Sequence, residues 1–414
     1  MTVSLTERAF AVLALLLFTK PFVDTALVHD RAVLTHGDFG VWALFVVAYA
    51  TAFVLLGGRQ CYESFKQNKV LLCLILLASL SLLWSEDPAL TFKRGVALLG
   101  TAIVGAYLAG RHSRQQIVQY LACALGIAAA LSVVAVLLAP NQTIMNDLHV
   151  GAWQGIYAHK NVLGRMVALG AVACFFTAAG SKRYRIIAVI SFLCSSFIVV
   201  ESASMTALLA LVASLCLMPG LILMRRHPKL VTSVSLSAIL LISTGVWLTD
   251  NSHRFFRALG RDETFTGRLD LWESATLAIE KKPWVGHGYG TGWIGEGDDA
   301  TTDIAMFSDW KAAPNAHNGL LNVTLDLGLV GFVLFIIGYT VAVYRGIICL
   351  RSDPSVAGLW PLILLFFIFL TNLTESTFLK YNSLDWLLYI TIIFSLSKAK
   401  QAGERLQTAI SRHE

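Results

Sequence analysis

The sequence predicts an all-α, polytopic membrane protein of about twelve transmembrane helices with one large outward-facing loop. Of its 414 residues, 56% are hydrophobic and only 14% are charged, whereas a soluble domain is about half apolar and about a quarter charged. The apolar residues form stretches of roughly 16–25 residues between short, basic breaks, which is typical of chains that cross a bilayer. Each stretch must be helical, because an open strand in lipid leaves backbone groups without hydrogen-bond partners.

The predicted spans are 9–28, 39–56, 70–84, 95–110, 117–139, 161–180, 186–200, 205–224, 230–248, 319–343, 357–373 and 384–396. The chain then divides into residues 1–248 with helices one to nine, a large loop 249–318, residues 319–396 with helices ten to twelve, and a tail 397–414. No internal repeat of the kind found in many transporters is visible.

The distribution of basic residues predicts the orientation of the chain. The net charge of +6 comes from Lys and Arg in the inter-helix breaks rather than from one patch, which indicates membrane topology and not nucleic-acid binding. Most of them lie in breaks on the side of the N-terminus, so both termini are predicted to be inside. Lys20 and Asp24 interrupt the first apolar run, so we expect a retained first span rather than a signal peptide.

The loop 249–318 is the segment most typical of a functional element, because it is long, polar and rich in Gly and Trp. Within it, residues 268–281 have the pattern of a short amphipathic helix with Trp272, Ala275 and Ile279 on one face. The turn-rich sequence KKPWVGHGYGTGW follows. We therefore expect an ordered cap over the outer face of the bundle.

His317 and Arg268 are the candidate catalytic residues. His317 lies where the large loop meets the tenth span, and an imidazole can take a proton at neutral pH. Arg268 begins the loop helix, and its planar guanidinium suits phosphate oxygens. The alternatives are an interfacial histidine that caps a helix, and an arginine that pairs with lipid head groups or nearby acids.

Arg165 is an intramembrane charge about one turn inside the sixth span, and such charges usually face the interior of a bundle or a cavity. With His159, Lys160 and the free N–H groups of the helix N-terminus it predicts an anion-binding site. The alternative is that Arg165 neutralises a buried acid, for which the candidates are Asp326, Glu201 and Glu375.

Two further acidic positions, Asp326 and the pair Asp298 and Asp299, are not predicted to be catalytic. Asp326 is nine residues from His317, about half a turn off on a regular helix, so the two side chains are predicted to face opposite sides and Asp326 to be a structural charge partner. Asp298 and Asp299 lie in a Gly-rich loop and are predicted to be solvated. No Cys/His spacing suits zinc, and neither a metal nor a cofactor is expected.

Four segments together resemble a known family. The segment from His317 to Gly331 fits H-[NSQ]-x9-G-x-x-G, in which Asn318 and Gly328 are the other defined residues. GRLDLWESATLAIEKKPWVGHGYGTGW, GIYAHKNVLGR and WSEDPALTFKR also look like family segments. The chain resembles the O-antigen ligase and exopolysaccharide polymerase superfamily of bacterial membrane glycosyltransferases, and its AHKN segment is most similar to the exopolysaccharide polymerase branch.

The resemblance implies an enzyme of the bacterial inner membrane with cytoplasmic termini and a periplasmic active site. It would move a glycan from undecaprenyl pyrophosphate to an acceptor, either a second lipid-linked glycan or lipid A-core, without nucleotide sugar or metal. His317 would be the base and Arg268 would hold the pyrophosphate, while Asn318 would contact substrate. The family often has a second arginine where this chain has Met205, and our hypothesis is that Arg165, with Lys160, supplies the missing charge.

Two other classes of function remain open on the sequence alone. A transporter or lipid flippase would show repeat symmetry and charges at the membrane midplane. A scaffold protein of the same pathway would insert normally and lack activity of its own. The sequence does not distinguish a polymerase from a ligase, and it does not identify the sugar or the acceptor.

Overall fold

A computed structural model of the protein describes residues 4–21, 38–146, 149–227, 266–293 and 315–410. Within these ranges the regular structure is helical, and one isolated bridge joins Ile144 to Trp153. The predicted ninth span, 230–248, lies outside the described residues, as do Asp298 and Asp299.

The described helices are α1 Leu5–Phe18, α2 Asp38–Leu56, α3 Gly58–Lys66, α4 Lys69–Leu80, α5 Pro88–Arg111, α6 Arg114–Leu138, α7 Pro140–Thr143, α8 Lys160–Gly180, α9 Arg185–Glu201, α10 Met205–Arg226, α11 Thr266–Lys281, α12 Gly319–Ser352, α13 Trp360–Asn372 and α14 Leu384–Ile410. Short 3₁₀ turns follow α4 (Ser81–Leu83) and precede α13 (Val356–Gly358).

The structure confirms the all-helical class and several candidate membrane spans, whereas the number of twelve spans stays a prediction. Each predicted span that falls on described residues overlaps a helix. Five helices (α5, α6, α8, α10 and α12) are long and apolar enough to cross a bilayer, and α2 with α3 adds a sixth if this pair, bent by 94°, forms one span. Helix α14 continues to Ile410, through residues that the sequence assigns to the tail.

Helix α8 is the central helix of the bundle. It is the most buried of the five spans, with 72% of its apolar window inside the protein, and it packs against α6, α9 and α10. It begins at a local cap, because the His159 ring nitrogen Nδ1 accepts the N–H of Asn161 at 3.2 Å. The residues of its first two turns are buried or partly buried.

Helix α12 is broken near its N-terminal end. Gly328 has φ 63° and ψ −167°, a left-handed conformation that L side chains rarely adopt. The break frees backbone groups that a continuous helix would pair. The freed N–H groups of Leu329 and Val330 donate to the carbonyls of Pro283 and Trp284 at 2.7 and 3.1 Å. A second segment of chain thus satisfies the amides of the broken helix, as a low-polarity environment requires.

That second segment is residues 283–291, PWVGHGYGT, which we call the glycine loop. On the other side of the break, the carbonyls of Leu325 and Asp326 accept the N–H groups of His287 and Gly288, each at 3.0 Å. The two backbones approach so closely that a Cβ atom on Gly286 would lie 2.6 Å from the Asp326 backbone. Glycine is needed at this contact because any side chain would force the segments apart.

The turn after α4 holds the glycine loop from its other side. The indole of Trp84 donates to the Val285 carbonyl at 3.1 Å, and the Glu86 carboxylate lies 2.8 Å from Nδ1 of His287. Nε2 of the same buried ring lies 2.9 Å from the Ala278 carbonyl. The WSEDP segment and the glycine loop, which the sequence singled out separately, therefore form one structural unit.

Helix α11 confirms the predicted amphipathic helix of the loop and begins at Thr266. Ala275 is fully buried, whereas Trp272 and Ile279 are partly buried. The Trp272 indole donates to the carbonyl of Ala316 at 2.9 Å. This bond fixes α11 beside the residue that precedes His317.

We expect Gly328→Ala to destabilise the protein by more than about 2 kcal/mol, because a left-handed conformation is costly for alanine and a new Cβ would lie 2.3 Å from the Trp284 carbonyl. Thermal unfolding of the purified protein, followed by fluorescence, measures the loss. Gly338→Ala on the same helix is the matched control, because a Cβ there meets no atom closer than 3.4 Å. Equal melting temperatures for the two variants would contradict the role assigned to the break.

Candidate functional site

Five polar side chains converge at the end of the bundle that carries His317. Glu375 is their centre: its Oε2 lies 3.9 Å from Nδ1 of His317 and 3.9 Å from Nη1 of Arg165, and its Oε1 accepts the Asn161 amide at 3.2 Å. Nε of Arg165 lies 3.1 Å from Oδ2 of Asp385. We call these five residues the Glu375 cluster.

The Glu375 cluster is largely shielded from solvent. The exposed fractions of the side chains are 1% for Asp385, 11% for Arg165, 14% for Glu375 and 19% for His317. Both carboxylates of the cluster lie against the Arg165 guanidinium, and the His317 imidazole lies beside Glu375.

The backbone presents His317 in an uncommon conformation. Its φ is 48°, in the left-handed region that costs a non-glycine residue of order 1–3 kcal/mol. The N–H of His317 donates to Oδ1 of Asn315 at 2.9 Å, which supports the turn. Asn318 then caps α12, because its Oδ1 accepts the N–H groups of Leu320 and Leu321 at 3.0 and 3.3 Å. The NAHN segment is thus a strained, locally bonded turn.

A second turn, residues 372–378, carries Glu375. The side chain of Asn372 builds this turn, since its Oδ1 accepts the N–H groups of Thr377 and Phe378 at 2.8 and 2.9 Å. The two turns are tied together by the N–H of Asn318, which donates to Oγ of Ser376 at 3.1 Å. These bonds hold Glu375 against His317 although 58 residues of chain separate them.

The structure gives the predicted substrate-binding residues protein partners. Arg165 pairs with Glu375 and Asp385, which is the alternative reading in which it neutralises a buried acid. Nζ of Lys160 donates to the Ala203 carbonyl at 3.2 Å, in the turn that leads to α10. His159 and Asn318 act as helix caps. A contact of any of these residues with substrate stays a prediction.

Arg268 lies in the first turn of α11, and its side chain is outside the described part of the chain. Its backbone is four residues before Trp272, so the two positions share a face of the helix. Trp272 reaches Ala316, the neighbour of His317. The backbone of α11 therefore passes close to the His317 turn, and the catalytic role of Arg268 stays a prediction.

Asp326 contacts the glycine loop and not the Glu375 cluster in the described structure. Its carboxylate is buried, with the backbone of Gly290 and Gly292 against it, and it accepts the Asn322 amide at 3.4 Å. These are contacts with backbone and with a neutral amide, so the role of Asp326 as a charge partner stays a prediction.

The sequence does not predict Asp385 as a site residue. It offers Glu375 only as a possible partner for Arg165, and it does not predict the approach of Glu375 to His317. Asp385 is an acid at the edge of an apolar span, and ionisable residues inside a membrane are costly and usually functional. The reasoning that singled out Arg165 would also have found it.

Fold and site together define a polytopic helical membrane protein in which His317, Arg165, Glu375 and Asp385 come together at one end of the bundle. Residues 190–336 match the family described as O-Antigen ligase. The matched region contains α11, the glycine loop, His317 and the break at Gly328.

The chain is also 24% identical over 340 residues to the "Exopolysaccharide production protein ExoQ" of Rhizobium meliloti (strain 1021). The alignment covers 75% of this chain and 76% of that protein. The predicted resemblance to the O-antigen ligase and exopolysaccharide polymerase superfamily is thus confirmed.

Glu375→Gln should lower the rate of polysaccharide formation by at least about tenfold. Glutamine keeps the size and the bond to Asn161 but removes the charge that faces His317, and unit charges about 4 Å apart near a protein surface interact by roughly 4 kcal/mol. Initial rates of polysaccharide formation by purified protein measure the effect. Glu201→Gln, at the end of α9 and outside the cluster, is the control. A Glu375→Gln variant as active as the Glu201→Gln control would remove Glu375 from the mechanism.

Proposed function

We propose that the protein is a membrane glycosyltransferase of polysaccharide synthesis, which moves a glycan from undecaprenyl pyrophosphate to an acceptor at the periplasmic face. The observation that supports the proposal is the partly buried approach of His317 to Glu375, at a turn that contacts α11 and begins α12. The family match and the similarity to an exopolysaccharide production protein support the same class.

In the proposed reaction His317 is the general base. It takes the proton of an acceptor hydroxyl while the hydroxyl oxygen forms a bond to the anomeric carbon of the donor. The bond from that carbon to the pyrophosphate breaks, and its electron pair leaves with the pyrophosphate. The imidazolium that results faces the Glu375 carboxylate at 3.9 Å. Direct displacement of this kind inverts the anomeric configuration.

Arg268 holds the leaving group in this proposal. Its guanidinium offers a planar fork for the pyrophosphate oxygens and stabilises the negative charge that develops on them. A pyrophosphate is already a good leaving group, so the proposed reaction needs no metal. Asn318 would act through the turn that presents His317, because its side chain caps α12.

Lys160 is the better candidate for the charge missing at Met205. The Arg165 guanidinium already faces the carboxylates of Glu375 and Asp385, which repel an anionic substrate. Lys160 instead bonds to the carbonyl of Ala203, two residues before Met205, so its ammonium lies at the turn where the family often has an arginine. We therefore assign Lys160 to pyrophosphate binding and Arg165 to the support of Glu375, with His159 fixing the entry to α8.

We further propose the topology given by the sequence, with about twelve spans in the bacterial inner membrane and both termini in the cytoplasm. The His317 end of the bundle would then be periplasmic, where lipid-linked glycans are presented. The positions of Lys and Arg in the inter-helix breaks support this orientation.

An exopolysaccharide polymerase is preferred over an O-antigen ligase. The AHKN segment at the start of α8 and the relative named for exopolysaccharide production favour chain growth on a second lipid-linked glycan. A transporter is the alternative class, since broken helices are common there. The break in α12 argues against it, because the glycine loop occupies the freed backbone groups that would otherwise line a substrate path.

Purified protein incubated with undecaprenyl-pyrophosphate glycan should extend the glycan on its lipid carrier. His317→Gln should slow this extension by about 100-fold or more, the usual contribution of a general base. Gel separation of the labelled glycans measures the product lengths.

His227→Gln is the matched control, because His227 is exposed at the opposite end of the bundle. A transfer to added lipid A-core would identify a ligase instead of a polymerase. Full extension by the His317→Gln variant would overturn the proposed base, and the absence of both products from the parent protein would favour transport.

A further inference from the structure

A cavity of about 260 Å³ lies at the end of the bundle opposite His317, between α4, α12 and α14. Its inner wall is apolar and includes Leu71, Leu74 and Ile393, all buried side chains. Its rim is basic: Lys66 and Lys69 are exposed, and Arg345 is partly buried beside them. The cavity thus joins an apolar interior to a positively charged mouth.

The three rim cations lack an acidic counterpart in the described part of the chain. No Asp or Glu lines the cavity, and no ion pair within 4 Å joins Lys66, Lys69 or Arg345 to an acid among the residues described. Arg111 and Arg114 at the same end of the bundle differ, because carboxylates neutralise them at 2.6 and 2.8 Å.

Neutral oxygens hold the Arg345 guanidinium at the mouth. Its Nη1 donates to Oδ1 of Asn68 at 2.8 Å and to Oγ of Ser397 at 2.6 Å, and the Ser397 hydroxyl also bonds to Asn68 at 2.6 Å. This arrangement fixes the position of the guanidinium and leaves its positive charge uncompensated within the described structure. A fixed guanidinium suits the oxygens of a phosphate group.

We propose that this cavity binds the phosphate group of an anionic phospholipid, with an acyl chain along the apolar wall. Basic pockets between transmembrane helices on the cytoplasmic side bind anionic lipid head groups in this way. A free phosphate ion would use the rim and leave the apolar wall without a partner, which favours the lipid. The bound lipid would join α4, α12 and α14 at the end remote from His317.

This inference rests on the cavity and its charges, and it stands whether or not the protein transfers glycans. The test is the binding of phosphatidylglycerol to the purified full-length protein in detergent, measured by native mass spectrometry. Phosphatidylcholine with the same acyl chains is the neutral-head-group comparison. A second series contains inorganic phosphate in excess, which distinguishes a lipid site from a site for the free ion.

The test variant is the Lys66→Gln/Lys69→Gln double substitution, because both side chains are exposed and their replacement leaves the packing of the helices intact. We expect the parent protein to prefer phosphatidylglycerol at least tenfold, and each removed charge to weaken binding roughly fivefold. Arg345→Gln should weaken it further. Arg351→Gln, an exposed charge on the same helix outside the cavity, should leave binding unchanged.

Equal binding of phosphatidylglycerol by the parent and the Lys66→Gln/Lys69→Gln variant would overturn the proposal. Displacement of the lipid by inorganic phosphate, with the same dependence on the rim cations, would assign the cavity to the free ion instead. An equal loss of phosphatidylglycerol binding in the Arg351→Gln variant would also overturn the proposal, because general surface charge would then explain the binding.

Discussion

The architecture of the site depends on the backbone junction between α12 and the glycine loop. A helix cannot be broken inside a bilayer unless other groups replace its lost hydrogen bonds. Here the carbonyls of Pro283 and Trp284 and the amides of His287 and Gly288 replace them. The His317 turn, at the N-terminal end of α12, is thereby tied to a loop that the turn after α4 also holds. Sequence-distant segments become one rigid frame.

The Glu375 cluster is a group of paired charges within that frame. Isolated ions are expensive in a membrane interior, whereas paired ions with hydrogen-bond partners are tolerated. Asp385 and Glu375 share the guanidinium of Arg165. Nδ1 of His317 lies 3.9 Å from the same Glu375 carboxylate, which is the contact on which the proposed role of His317 as a base rests.

The sequence predicts the helical class and the loop helix α11, and it singles out His317 and Arg165 as candidate site residues. These features can be predicted because periodicity, hydropathy and intramembrane charge are local properties. The sequence does not predict the junction at Gly328, because backbone hydrogen bonds between segments about 40 residues apart leave no trace in the composition. The approach of Glu375 to His317 leaves no signature in the sequence for a similar reason. Contacts between distant segments, such as the hydrogen bond from the Asn318 N–H to Ser376 Oγ, bring the two turns together.

The contact of Glu86 with His287 spans 201 residues of chain, which has a consequence for biogenesis. During synthesis the WSEDP turn emerges long before its partner, and contacts of such separation form late. The early helices must therefore insert before the WSEDP turn can contact the glycine loop, which is translated later together with α12. A chain that ends before residue 283 lacks the glycine loop and α12–α14, so it cannot form the frame that holds the His317 turn.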